Sequence, residues 1–476
     1  MKGKRKWILS VLMLASMTML VACGNTKEVT ENPTTPQEPT EEPTPTEKPE
    51  EEPTMELTEE TIEVVIAHPG EDASTQVNIS WHSSGTNCKV EYTVASDTAF
   101  ANATVKEVAG VLNATEEYYD VASGAFYNFK CTLENLTPGT EYIYRIIASA
   151  SVSDAHSFTT AGNDGTFNFG WVADVHANPG EAYKMKNVNK LIANMENLTG
   201  DIDVFLFSGD LVEYGNTYED WLQWDNCNLF RNYAVATVPG NKEYYKLTPA
   251  GRVKAYSGEW YLDNTNIPAN GPEGAEACCW FIYDNVLFMS INSNQESGSN
   301  NKTPNNPSAI LAAQQKWFRQ VLTEQKDNYK YIVVQTHYAY FDTIDAAGNY
   351  NDGDPCSWGG YGNWRKLFDE FGVDLALSGD YHEYVRTNPI YKNETSTDSN
   401  QGTVYLTYTQ IPTYAGTLTL RDSSNPLIAK CSTEGASTIA SGVFTVTNES
   451  ITFQLVGYDG KVVDSTTIPV KDRTMK

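Results

Sequence analysis

At 476 residues the chain is long enough for two or three domains and a substantial core. Its 40% hydrophobic and 12% aromatic content excludes wholesale disorder. A formal net charge of -28 argues against electrostatic capture of nucleic acid or an anionic membrane surface, so no nucleic-acid duplex is expected as a partner.

The first residues have the pattern of an export signal. Lys2, Lys4, Arg5 and Lys6 give a positive n-region and residues 7–21 an apolar h-region. The run ends Leu20-Val21-Ala22-Cys23-Gly24, and a small residue before a cysteine resembles the lipobox of bacterial lipoproteins. That resemblance implies that Cys23 is lipidated and that the chain is exported and lipid-anchored to the outer face of the bacterial cell membrane. The other reading is an ordinary signal peptide, or an uncleaved anchor, with an incidental cysteine. No other long apolar run follows, so the membrane is expected as a partner only through this anchor. Residues 24–60 are dominated by Thr, Pro and Glu and lack apolar periodicity, which describes a semi-rigid, solvated stalk.

From Thr61 the pattern changes to short runs rich in β-branched and aromatic residues. Strands are expected at 62–66, 77–81, 89–94, 125–133 and 142–148, with turn residues between them. Their spacing predicts a β-sandwich over residues 61–162. The segment Leu136-Thr137-Pro138-Gly139-Thr140-Glu141-Tyr142-Ile143-Tyr144-Arg145 resembles the tyrosine-containing stretch of fibronectin type III-like domains. Cys88 and Cys131 both fall in this domain and can pair in an exported protein, provided their Cα atoms lie close enough.

A second domain, 163–476, reads as strands alternating with helices. Strands are expected at 166–173, 204–207, 234–238, 331–334 and 373–377, a hairpin around Asp284-Asn285, and helices at 183–198, 218–229, 309–324 and 364–371. The run 204–207 is continuously apolar, as suits a strand buried on both faces. It ends Ser208-Gly209-Asp210, where an open α/β sheet places its ligand-binding groups. Asp210 alone also fits a simple helix or turn cap, but the pattern recurs. Asp174 and His176, Asp210, Asn241, His337 and His382 each sit just past an apolar strand. The chain has six histidines, and three of them fall at such strand ends. Mixed oxygen and imidazole ligands suit Mn, Fe or Zn, and a pair of ions bridged by a shared carboxylate suits in-line attack on phosphorus.

The order Asp-x-His, Gly-Asp, Gly-Asn-x-Glu, His, Gly-x-x-His resembles the calcineurin-like metallophosphoesterases, and most of all their purple acid phosphatase-like branch. The preceding sandwich, residues 383–390 and the β-rich tail at about 437–470 match that branch as well. The resemblance implies an α/β fold: an N-terminal β-sandwich followed by an αββα metallophosphoesterase sandwich. It implies two divalent or trivalent metal ions (Fe, Mn or Zn). The first site would use Asp174, His176, Asp210 and His382. The second would use Asp210 as bridge, Asn241 and His337, with Asp380 where the family has the first histidine of Gly-His-x-His.

A second departure is Lys242, where the family has the phosphate-contacting histidine of Gly-Asn-His-Glu. Asp380 remains a potential hard ligand. Lys242 keeps a positive donor near the expected phosphate but is a poor general acid near neutral pH. A third reading pairs Lys242 with Asp380 and leaves only one metal ion. Lys242, Glu243 and water are the candidates for protonating the leaving group, with Asn241 and Lys242 offsetting phosphoryl charge. Tyr244, Tyr245, Trp260, Tyr261, Tyr338, Tyr340 and Trp358 to Trp364 cluster in loops; packing is expected for most of them, stacking on a base or sugar ring being the other reading. One or two disulfides with a leftover thiol are expected. The whole predicts an exported metal-dependent phosphoesterase acting on small phosphate monoesters such as nucleotides or sugar phosphates. The rival is a catalytically degenerate surface-binding protein.

Overall fold

The apolar runs become strands largely where the sequence places them, and their two faces pack on different layers. In the Val204–Phe207 strand, Phe205 and Phe207 face one hydrophobic cluster while Val204 and Leu206 face another, and all four are fully buried. The computed structural model describes residues 59–113, 118–119, 126–254, 258–294, 307–340, 361–407, 418–423, 425–432 and 439–473. The expected signal, the stalk up to residue 58, Cys23, Cys356 and Trp358 lie outside the described residues; Glu59 and Glu60, expected at the end of the stalk, instead join the sandwich, Glu59 bridging to Ser149 and the Glu60 N–H donating to Ser151 Oγ at 2.9 Å.

Two sheets form the C-terminal domain. The first runs Val462–Pro469, Ser450–Gly457, Ala440–Val446, Phe167–Val172, Val204–Phe207, Ala234–Thr237, with the last three parallel. The second runs Cys279–Tyr283, Val286–Ser290, Tyr331–Gln335, Leu375–Ser378, Val404–Thr407, Val385–Thr387, Ile428–Ser432, Leu420–Arg421. Between them lies a core of large side chains that includes Phe169, Trp171, Phe288, Val333, Leu377 and Phe444. Phe169 and Phe444 stack at 4.3 Å across the antiparallel pair that joins the C-terminal strands to the sheet. Helix Tyr183–Thr199 covers the outer face of the first sheet through Val188, Leu191 and Met195. Helices Pro307–Glu324 and Lys366–Phe371 cover the second through Phe318, Val321 and Phe368. The result is the expected four-layer αββα order.

The N-terminal domain is a two-sheet sandwich. Ile62–Pro69, Val77–Ser83, Tyr127–Leu133 and Val111–Leu112 make one sheet; Thr104–Ala109, Asn87–Val94, Glu141–Ala148 and Ser151–Val152 make the other, with His156–Thr159 paired to Glu141–Ala148. The Tyr142 hydroxyl accepts the Thr137 backbone N–H at 2.9 Å, a tyrosine corner that closes the segment singled out in the sequence. The first of these sheets is not separate from that of the C-terminal domain. Ala67 pairs in parallel with Ala234, so one ten-stranded sheet runs through both domains.

Two expectations need correction here. The helix expected at 218–229 runs as Tyr218–Leu222 into a 3-10 turn Gln223–Asn226 and stops there, because Cys227 adopts extended dihedrals before a separate helix Asn228–Asn232. The expected disulfides are also absent among the described residues. Cys88 and Cys131 sit on strands of opposite sheets as buried free thiols, and Cys227, Cys278, Cys279 and Cys431 are likewise free and buried. Among the described residues no helix is long and apolar enough to cross a membrane.

Candidate metal centre

Every predicted ligand lies in the turn after the C-terminal end of a sheet strand. Asp174 and His176 follow Phe167–Val172, Asp210 follows Val204–Phe207, and Asn241 follows Ala234–Thr237. From the second sheet, His337 follows Tyr331–Gln335, and Asp380 and His382 follow Leu375–Ser378. The turns are tight. Asp174, His176, Asp210, Asp380 and His382 all have positive φ, between 50° and 72°, a conformation that costs non-glycine residues of order 1–3 kcal/mol each and concentrates at functional sites. It is held by interlocking backbone bonds. The Asp174 N–H donates to Gly209 O at 3.0 Å, the His176 N–H to Asp210 O at 2.9 Å, and the Asp380 N–H to the Asp174 carboxylate at 3.0 Å.

These turns bring the ligand atoms together. Two groups, Asp174 with His176 and His382, and Asp174 with Asp210 and His337, each have ligand atoms within 4.8 Å of one another. His176 Nε2 lies 3.0 Å from Asp210 Oδ2, His337 Nε2 lies 3.3 Å from Asp210 Oδ1, and His382 Nε2 lies 3.7 Å from Asp174 Oδ1. Asp380 Oδ1 is 3.5 Å from His337 Nε2 and accepts the Asn241 amide at 3.2 Å. Asp174 is common to both groups; Asp210, the expected bridge, belongs to the second and touches one imidazole of each, and Asp380 stands with the second.

The ring nitrogens are oriented from behind. His337 Nδ1 donates to Ser208 O at 3.0 Å, which fixes the tautomer and turns Nε2 into the site. His176 Nδ1 faces Glu213 Oε2 at 3.1 Å, a carboxylate–histidine arrangement of the kind that backs metal-bound imidazoles. Despite the nearby carboxylates, His176 Nε2, His337 Nε2 and Asn241 Oδ1 are buried without a well-formed hydrogen bond. Buried polar atoms are normally paired. Two such imidazole nitrogens aimed at a cluster of carboxylates therefore fit a donor set built for cations, with N/O chemistry suited to divalent metal ions.

The charge balance agrees. Burial pushes the Asp174 carboxyl up to about 8, with Asp210 adding to the effect. Burial acts the same way on Asp210, but His337 and His176 overcome it and hold that carboxyl well below the usual range. Burial opposes charge on His176, yet Asp210 and Glu213 raise it to about 9. His382, half-exposed and beside His176, is lowered to about 4 by burial first and His176 second. Without cations, the cluster reaches balance by holding protons on the His176 and His337 imidazoles and on the Asp174 carboxyl itself.

Two sequence expectations fall. Lys242 does not pair with Asp380: its Nζ donates to Glu213 Oε1 at 2.7 Å, while Asp380 faces Asn241 and His337. Glu243 does not reach a leaving group. Its fully buried carboxylate accepts the backbone N–H groups of Gly240, Asp210 and Val212 at 2.5, 3.0 and 3.1 Å, so it braces the Asp210 turn. The residue missed is Glu213, which joins His176 to Lys242; its only signal was a carboxylate three residues beyond Asp210. Of the loop aromatics, Tyr244, Trp260, Tyr261, Tyr340 and Trp364 are buried and serve packing.

Comparison with known proteins agrees with this geometry. Residues 167–384 match the family described as calcineurin-like phosphoesterase, and residues 62–160 match the purple acid phosphatase N-terminal domain. An uncharacterized protein of Mycobacterium tuberculosis is 23% identical over 385 residues, covering 71% of this chain and 67% of the relative. The purple acid phosphatase of yellow lupin (Lupinus luteus) seeds superposes with a TM-score of 0.62 at 15% identity, covering 87% of this chain and 75% of its own. PhoD superposes with a TM-score of 0.59 at 15% identity, covering 85% and 93%.

Proposed function

Since the chain combines a calcineurin-like phosphoesterase domain with a purple acid phosphatase N-terminal domain, and is on that ground a metal-dependent phosphoesterase, we propose that it hydrolyses small phosphate monoesters outside the cytoplasm. The observation that carries the reading is the convergence of His176 Nε2 and His337 Nε2, neither with a well-formed hydrogen bond, on the carboxylates of Asp174, Asp210 and Asp380, with the Asn241 amide nitrogen donating to Asp380. Asp174, His176, Asp210 and His382 would hold one ion, and Asp210, Asn241, His337 and Asp380 the other. When bound, such ions supply Lewis acidity at the phosphoryl group and a nucleophile from water near neutral pH.

The chain's own residues do the rest. Glu213 and the Ser208 carbonyl keep the two imidazoles turned inward. Lys242 brings an ammonium beside the first group, with its charge offset by Glu213 at 2.7 Å. The alkoxide leaving group would then take its proton from solvent. Mn, Fe and Zn all suit the donor set. The lipobox-like sequence ending at Cys23 supports export and anchorage on the outer face of the membrane.

The test is metal content and turnover of the purified full chain, measured by elemental mass spectrometry and with p-nitrophenyl phosphate against its bis-ester after supply of Mn, Fe or Zn. Near two ions per chain and faster monoester hydrolysis are expected. A preference for the bis-ester would overturn the monoesterase reading. No bound metal and no turnover would favour the binding-protein alternative.

A further inference from the structure

Lys242 follows Asn241 directly, but its ammonium is committed to Glu213 at 2.7 Å. Another cation stands close by. After Asn241 the chain enters an antiparallel hairpin, Tyr245–Thr248 with Gly251–Lys254, in which Lys254 pairs with Tyr245. This register returns Lys254 to within a few residues of the Asn241 turn. The other basic residues of the hairpin are occupied: Lys246 lies 5.8 Å over the Trp260 ring and Arg252 4.3 Å over Tyr245. Lys254 is half-buried and, among the described residues, its ammonium has neither a hydrogen-bond nor an ion-pair partner. Its electrostatic partners are two of the site carboxylates, Asp380 and then Asp210. Burial pulls its pKa down, and these carboxylates pull it back up. A partly desolvated ammonium that makes no direct hydrogen bond or ion pair gains from an anion that arrives to meet it.

We propose that Lys254 binds a phosphoryl oxygen of the substrate and so supplies the substrate-facing positive charge that Lys242, held by Glu213, does not. An ammonium on a flexible stem offers three donors and suits phosphate as a point charge. This inference rests on the phosphoesterase reading of the same centre.

The experiment compares wild-type, Lys254→Met and Lys254→Arg full chains, loaded with the same metal. It reads KM and kcat for p-nitrophenyl phosphate, the inhibition constant of inorganic phosphate, and bound metal. In Lys254→Met, KM and the phosphate inhibition constant are expected to rise about tenfold or more, as befits loss of a charge-assisted contact, at unchanged metal content. Lys254→Arg should recover most of the affinity. Should Lys254→Met fail to fold by circular dichroism, Lys254→Gln takes its place. An unchanged inhibition constant, or a loss that merely follows lost metal, overturns the role of Lys254. Failure of the broader reading looks different: a wild-type chain that neither turns over nor is bound by phosphate sinks both, whereas an active wild type beside an unaffected variant sinks only Lys254.

Discussion

Glu213 sets the state of two neighbours at once. Its Oε2 faces His176 Nδ1 at 3.1 Å and its Oε1 accepts from Lys242 at 2.7 Å. Removing its charge frees the imidazole to turn and leaves the Lys242 ammonium without its counter-ion. Loss of such a supporting carboxylate typically costs 10–100-fold in metal affinity or activity, so Glu213→Gln should weaken metal binding within that range by titration against a chelator while the fold persists. Asp210→Asn goes further. Asp210 lies within 3.3 Å of both inward-facing imidazoles, and turnover should fall to background with an unaltered circular dichroism spectrum; unchanged turnover would remove the assignment. The ligands were legible in the sequence because each is a chemically distinctive side chain directly after an apolar run. Glu213 and Lys254 were not, since their roles depend on which way a neighbouring ring or hairpin turns. Glu243 was misread for a related reason: its spacing placed it near the reaction, but three backbone N–H groups consume both of its oxygens.

At the scale of elements, the site is a set of strand-end turns that only particular residues permit. Gly209 has φ 86°, and a Cβ there would lie 2.6 Å from His337 Nδ1 and 2.8 Å from the Gly240 nitrogen. An added methyl must therefore displace either the imidazole that bonds Ser208 O or the turn that carries Asn241. Gly209→Ala combines left-handed backbone strain of about 1–2 kcal/mol with that clash, and should lower stability to urea by at least about 2 kcal/mol. It should also release metal from the His337 group before the His176 group, as spectroscopy of a cobalt-substituted chain would detect; equal loss from both would contradict the placement. Long elements were legible because both faces of their strands are apolar, as in Val204–Phe207. Short edge strands such as Val111–Leu112 and Leu420–Arg421 were not, because pairing to a neighbour rather than their own composition defines them. The hairpin Tyr245–Lys254 was missed for the same reason, although it carries the cation nearest in sequence to the Asn241 turn that is left unpartnered among the described residues.

For the molecule as a whole, the sandwich is part of the catalytic sheet and not a spacer beside it. Ala67 extends the pairing from Ala234, and His68 Nδ1 donates to Val235 O at 2.7 Å, so the strand leading to Asn241 is braced by the N-terminal domain. His82 extends the junction: it stacks on Phe126 at 4.7 Å and on Tyr218 at 5.5 Å, and reaches the Asp263 carbonyl at 3.4 Å. The three histidines outside the metal centre all lie in this domain. Burial holds His68 and His82 down at about 3 and His156 at about 4. On unfolding each returns toward about 6.5, so below that pH the unfolded chain takes up protons that the folded chain refuses. Their contribution to stability is complete above about pH 6.5 and is lost as pH falls, by about 1.4 kcal/mol per unit for each group. Groups of opposite sign share the window. Burial raises Asp225, which accepts the Val64 N–H, to about 7, and Asp203 to about 6, so these favour the fold on the acid side. The net slope of the wild type is a difference of such contributions, but a single substitution isolates one of them. His82→Phe keeps an aromatic between Phe126 and Tyr218 and removes one titrating group. In metal-free protein, the slope of unfolding free energy against pH between 4 and 6 should be less positive than that of wild type by about 1.4 kcal/mol per unit. Urea titrations at four pH values measure this directly, and parallel curves for the two proteins would mean that His82 is already protonated inside the fold.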